Sequence, residues 1–183
     1  MSRRLPTKKK AVGLLVKAGC SLEVVRHAES VAALAVEIAE ACRRKGLEID
    51  VQLVEIGALL HDIGRSETHS VDHVIVGVEI AQSLSLPDPI ILIIERHVGG
   101  GISKGEAKRL GWPVKDYIPQ TLEEKIVTYA DKLVEGSRRV PIEQVIEKFS
   151  RFNVPRSSIL RMKRLHEEFS SLLGDLDVDS DTS

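Results

Sequence analysis

The run Leu59-Leu60-His61-Asp62-Ile63-Gly64-Arg65 sets an imidazole and a carboxylate side by side at the end of an apolar helix. Burial forces such a pair to find a partner. A neutral imidazole beside an ionised carboxylate suits a divalent cation, and spare ligands of the same chemistry recur at His27, His73, His97 and Asp131. Each has a plainer reading when taken singly. His27, between Val24 and Val31, reads as a core histidine bonded to a backbone carbonyl, and Asp131, a turn from Val127 and Val134, as half of a buried ion pair. The pair itself reads as a helix end where a charged His meets the dipole and Asp takes a turn hydrogen bond. His73 reads as an exposed first-turn residue and His97 as a helix-end cation. Four core-facing ligands in one chain outweigh these separate readings, because interior charge is rare without a partner.

Helices must position these groups. Aromatic residues are scarce, while Leu, Ile, Val and Ala recur at helical spacing, so the expected fold class is all-α, a single bundle of about eight helices. A first helix over about 8–18 closes at Gly19; a second runs from its cap Ser21 to Gly46 with Val24, Ala28, Val31, Ala35 and Ile38 on its buried stripe. Asp50 caps a third, which carries Leu53, Ile56 and Leu60 inward, holds His61 and Asp62 in its last turn and stops at Gly64, a residue suited to the left-handed position after a helix. Another begins at Ser70 and ends near Ser85. Asp88 as cap and Pro89 at the first position start the next, whose stretch Ile90 to His97 is apolar nearly all round and should run through the centre. Gly99-Gly100-Gly101 breaks it. Two capping boxes, Ser103-x-x-Glu106 and Thr121-x-x-Glu124, announce further helices, the second holding Asp131, and Pro141 and Pro155 open the last two. Gly77 costs a helix about 1 kcal/mol relative to Ala, which is expected where a ligand or another backbone comes close. Residues 1–10 form a basic tail that runs into the first helix, and 174–183 form an acidic tail expected to be disordered.

At 183 residues the chain is long enough for one domain to bury a core without disulfides, and it shows no internal repeat. The net charge of −1 offers no excess of Lys and Arg to track a phosphate backbone, so nucleic acid is not the expected partner, whereas a nucleotide-sized substrate remains open. Cys20 and Cys42 stand apart without Cys-x-x-Cys spacing, as reduced thiols of a cytoplasmic protein would. The apolar run Ile90–Ile94 is far too short for a membrane span, and no signal-peptide stretch follows the basic start.

The order His27, His61-Asp62, Asp131 resembles the signature of the HD superfamily of metal-dependent phosphohydrolases, and His61-Asp62-Ile63-Gly64 and Tyr129-Ala130-Asp131-Lys132-Leu133 are forms familiar in it. The resemblance covers roughly residues 20–136 of a domain placed at 11–173, with a C-terminal helical extension from about 137 that shapes the pocket or forms a homodimer face. His73, in a His-x-x-x-Gly element with Gly77, and His97 resemble second-metal positions of the two-metal branch, which includes the bacterial symmetrical dinucleoside tetraphosphate hydrolases. Cyclic-dinucleotide phosphodiesterases of a related branch carry His-His-Glu and Gly-Tyr-Pro motifs, whereas this chain reads Arg96-His97-Val98-Gly99. The resemblance implies that His27, His61, Asp62 and Asp131 hold one metal and that Asp62 bridges to a second held by His73 and His97. Mixed imidazole and carboxylate ligands suit Fe, Mn, Co, Ni or Zn. Such a pair of cations would activate a water for attack on phosphorus, with Asp62 at the bridge and Arg65 and Lys132 clamping phosphate oxygens. Arg65 and Lys132 also read as solvated helix-end cations, and His69 as a loop residue outside the pattern. The expected function is hydrolysis of a phosphate ester or anhydride of a nucleotide. The alternatives are a regulatory or binding module with a structural metal, and a single-metal 5′-nucleotidase.

Overall fold

A computed structural model of the chain describes residues 4–152 and 154–174. The expected residues 175–183 of the acidic tail and residues 1–3 of the basic tail lie outside the described residues. Among those described, nine α-helices form the fold: α1 (Lys8–Ala18), α2 (Leu22–Arg44), α3 (Val51–Leu60), α4 (His73–Ser83), α5 (Asp88–Arg96), α6 (Lys104–Leu110), α7 (Leu122–Lys132), α8 (Ile142–Arg151) and α9 (Arg156–Leu173). Two short 3₁₀ turns, Ile63–Ser66 and Val98–Gly100, follow α3 and α5. Lys8, Lys9 and Lys10 are the first turn of α1, so the basic segment is helical at its end.

α2 is amphipathic as its stripe demands. Val24, Ala28, Val31, Ala35 and Ile38 are buried, and that face packs on α3 and α7. α5 packs on α3, α4 and α7, but it is not apolar all round in use: Ile90, Ile93 and Ile94 are buried while Ile91 and Leu92 are half-buried. Pro87 caps it, with Asp88 as its first residue, one position earlier than the sequence suggests. α4 starts at His73, three residues later than the Ser70 expected, after Asp72, whose Oδ1 accepts a hydrogen bond from Trp112 Nε1 at 2.7 Å. Ser103 and Glu106 form the expected capping box of α6. At α7 only half of the expected box appears. Thr121 accepts from Glu124 N, but the Glu124 carboxylate turns to Arg96 Nη1 at 2.9 Å and to Gln120 N at 2.7 Å, because a buried guanidinium competes for it.

Gly64 corrects one expectation. It does not take the left-handed conformation of a helix stop, and α3 ends instead at Leu60. A Cβ on Gly64 would lie 1.9 Å from His73 O and 2.6 Å from Gly77 N. The glycine lets the 3₁₀ turn after Asp62 sit directly on α4, which Gly77 permits from the other side. A side chain at Gly64 would force apart the two segments that carry Asp62 and His73, and one at Gly77 would press on Ile94 of α5, 2.9 Å from the added Cβ. A small antiparallel hairpin, β1 (Val134–Glu135) with β2 (Arg138–Arg139), follows α7 and reaches the site through the Gly136 carbonyl.

Candidate metal centre

Six side chains from six places in the fold converge. His27 comes from the inner face of α2, His61 from the residue closing α3, Asp62 from the turn after it, His73 from the start of α4, His97 from the residue closing α5, and Asp131 from the last turn of α7. Asp62 lies between two groups of imidazoles. Its Oδ2 stands 3.5 Å from His61 Nε2 and 4.0 Å from His27 Nε2, while its Oδ1 stands 3.1 Å from His73 Nε2 and 3.4 Å from His97 Nε2. Asp131 Oδ1 completes one side at 3.0 Å from His27 Nε2 and 3.3 Å from His61 Nε2. All but His27 are buried.

Backbone carbonyls settle the orientation of every imidazole. Nδ1 of His61 lies 2.6 Å from Ala58 O, that of His73 2.7 Å from Ser70 O, that of His97 2.8 Å from Ile94 O and that of His27 2.9 Å from Gly136 O. A carbonyl can only accept, so each Nδ1 is the protonated donor. In the neutral ring Nε2 then carries a lone pair, and all four lone pairs converge on carboxylate oxygens. Two sets of acceptors at such distances repel unless a proton or a cation lies between them. His61 Nε2 and Asp62 Oδ1 are buried without a hydrogen-bond partner. The triads His27, His61, Asp131 and His61, Asp62, His97 each bring their ligand atoms within 4.8 Å of one another. This donor set fits divalent transition metals.

The HD domain family model matches residues 24–136 of the chain. The chain belongs to the HD domain family. HD domains bind divalent metals and are in general metal-dependent phosphohydrolases. An uncharacterized protein of Methanocaldococcus jannaschii is 50% identical over 90% of this chain and 97% of its own length. A tRNA (cytidine(56)-2′-O)-methyltransferase of Picrophilus torridus is 46% identical over 84% of the chain, which spans only 44% of that relative. The crystal structure of the L. monocytogenes phosphodiesterase PgpH HD domain in complex with cyclic-di-AMP shares the fold. It matches with a TM-score of 0.52 and 20% identity, covering 90% of this chain and 97% of that one.

Charge in this HD centre is unevenly held. Burial alone would lower the His61 pKa, but the adjacent charges of Asp62 and Asp131 raise it to about 10. His97 goes the other way, to about 4, chiefly through burial and with the positive charge of His61 adding to it, against the pull of Asp62. Burial opposes ionisation of Asp62 and Asp131, yet their neighbours hold both well below the usual carboxylate range: His61 acts foremost on Asp62, and Lys132 on Asp131. The two cations expected at phosphate turn inward here. Arg65 Nε donates to Asp62 Oδ2 at 2.6 Å, and Lys132 Nζ pairs with Asp131 Oδ2. His69 is an exposed loop residue whose carbonyl lies 3.4 Å from Arg65 Nη1.

Two openings reach the centre. A cavity of ≈ 240 Å³ is lined by His27, Asp131 and Lys132 together with Gln144 and Lys148 of α8. A second, of ≈ 280 Å³, is lined by Ser21, Glu23, His27, Asp62 and Arg65. Gln144, Lys148 and the Gly136 carbonyl carry no motif that sequence reasoning could have read. Alternation of polar and apolar residues on α8, with Val145 buried and Gln144 and Lys148 exposed, is the only signal that one face of that helix meets the site.

Proposed function

We propose that this HD domain hydrolyses a phosphate ester or anhydride of a nucleotide in a two-cation centre. One observation carries the reading: the two oxygens of Asp62 are divided between two imidazole groups whose Nδ1 atoms are all already committed. His27, His61, Asp62 and Asp131 would hold one cation, and Asp62, His73 and His97 the other. Bound there, divalent cations would lower the pKa of water to supply a nucleophile and would neutralise developing phosphate charge. The chain's own residues do the rest. The Ala58, Ser70, Ile94 and Gly136 carbonyls hold the imidazoles in the ligating tautomer. Arg65 and Lys132, anchored on Asp62 and Asp131 at the two openings, orient phosphate oxygens entering from solvent. The mouth beside α8 adds Lys148 and Gln144, both held there by Glu135, as further donors.

A single-cation nucleotidase is the second reading, and a specific asymmetry favours it over others. The His27 side owns Asp131, whereas the His73 and His97 side has only a share in Asp62. Elemental analysis after reconstitution with Mn, Fe, Co, Ni or Zn separates the two, with two ions per chain expected. A phosphate-release panel follows: nucleoside mono-, di- and triphosphates, diadenosine tetraphosphate and a cyclic dinucleotide, in oxygen-18 water. The ligand order and the stretch after His97 favour anhydrides and monoesters over the cyclic dinucleotide, with label in a phosphate product. No metal after reconstitution, or no labelled phosphate across the panel, would overturn the enzyme reading and leave a regulatory module.

A further inference from the structure

A third cavity of ≈ 400 Å³ lies beside the centre. Val98, Ile102, Leu110 and Phe149 provide apolar walls, with Arg109 and Ser158 among its polar groups beside the fully bonded Glu106 carboxylate. Lys132 and Phe149 line both this cavity and the one over Asp131, so the two lobes adjoin at those two side chains. Residues within the family match supply most of its lining, and residues beyond the match close it. Phe149 comes from α8 and Ser158 from α9, and α9 is pinned at this spot by Arg161, which donates to Gly101 O at 3.0 Å and to Glu106 Oε2 at 2.7 Å. Ser158 is 2% exposed, and its Oγ accepts from Arg161 Nη2 at 3.1 Å, which leaves its hydroxyl proton free to donate. Arg109 stands exposed at the rim.

This chemistry suits one kind of group. A charged phosphate would gain nothing from aliphatic walls, and an alkyl chain would leave the buried hydroxyl and the rim guanidinium unused. A nucleobase has apolar faces for Val98, Ile102 and Phe149 and polar edges for Ser158 and Arg109. We infer that the lobe between α6, α8 and α9 receives the nucleobase of the substrate, and that α8 and α9 set which nucleotide this HD centre cleaves. The inference rests on the phosphohydrolase reading for the phosphate end.

The test uses the full chain, with and without added zinc, titrated with adenosine, AMP and ribose 5-phosphate and followed by amide and methyl NMR. Adenosine and AMP should shift Val98, Ile102 and Phe149, and ribose 5-phosphate should not. Phe149→Ala and Leu110→Asp should each weaken AMP binding at least about tenfold, and should lower by a similar factor the ratio of kcat/KM for a nucleotide to that for an aryl phosphate. Leu110 is 41% exposed, so Leu110→Asp keeps the test intact if Phe149→Ala unfolds. AMP shifts confined to the surroundings of His27 and Gln144, or wild-type AMP affinity in Leu110→Asp, would overturn the inference even if hydrolysis is observed. Shifts in the lobe without hydrolysis of any phosphate compound would sink the enzyme reading instead and leave the lobe as a nucleotide site.

Discussion

Glu106 and Asp62 are both buried carboxylates, and their surroundings differ in kind. Glu106 is saturated with donors: Ser103 N and Oγ at 2.7 Å each, Arg161 Nη2 at 2.7 Å and Ser157 Oγ at 2.5 Å. Asp62 has one firm donor, Arg65 Nε, and otherwise meets imidazole Nε2 atoms, of which only that of the charged His61 carries a proton. A carboxylate supplied with four donors is a fastener, and here it holds α9 to α6. A buried carboxylate among imidazoles stays ionised only with something positive beside it, a proton on His61 or a cation, and such residues are where function is found. The two clusters separate what the fold needs from what the chemistry needs.

The largest effect should fall on Asp62, which serves both imidazole groups. Asp62→Asn keeps the shape but removes the charge and places a donor among the lone pairs. Hydrolysis should fall at least about a thousandfold, a loss of several kcal/mol of transition-state stabilisation. The metal-free variant should melt below wild type, because the ionised carboxylate that His61 and Arg65 hold well below its usual range is lost from a buried site. Zinc should raise the melting temperature of wild type but not of Asp62→Asn. Wild-type turnover and metal content in this variant would erase the contrast with Glu106.

A smaller effect is expected from His97→Ala, which strips one side only. Metal content should drop from two ions per chain to one, and activity by more than the roughly 10–100-fold that an outer-shell partner typically costs. Two ions retained in His97→Ala would show that this imidazole is a core residue after all. His69→Ala, outside the cluster but at the rim of the second opening, should leave metal content at two ions per chain.

How far these clusters are legible in the sequence follows from the range of the interactions involved. His61 and Asp62 are adjacent, and His27 and Asp131 fall on apolar helical stripes, so their convergence is readable from periodicity together with the family signature. The all-α class is readable for the same reason. Gly136 is not, since its carbonyl reaches His27 by way of a hairpin with two residues in each strand, too short for any alternating pattern. Gly64 reads as a helix stop because local rules treat glycine as a turn residue, whereas its actual constraint is His73 and Gly77, distant in the chain. Glu124 reads as a capping residue until Arg96, 28 positions away, claims it. Glu106 reads as half of a capping box and is one, yet its bond to Arg161, 55 positions away, is invisible to any local pattern. Tertiary partners decide these cases, and only the structure brings them together.

The smallest effect belongs to that fastener, and it is an effect on stability with a definite pH sense. Hydrogen bonds from Ser157, Ser103 and Arg161 outweigh the cost of burying Glu106 and lower its pKa from 4.5 to about 2. A carboxyl that binds its proton less readily when folded contributes stability above its unfolded pKa, and that contribution disappears as pH falls from about 4.5 through about 2. Glu106→Gln should therefore destabilise the fold at pH 7 by roughly 1–3 kcal/mol, the range for hydrogen bonds to a charged group. The difference between wild type and variant should narrow as pH drops through that window. Denaturant unfolding of both proteins at pH 7, 4 and 2.5 measures it directly. Proteolysis should localise the loss, with cleavage at the 3₁₀ turn Val98–Gly100 and along α9 before the metal-ligand helices open. A gap that stayed constant from pH 7 to 2.5 would mean that the Glu106 carboxylate is not the ionised fastener described here, and its contrast with Asp62 would then rest on the metal measurements alone.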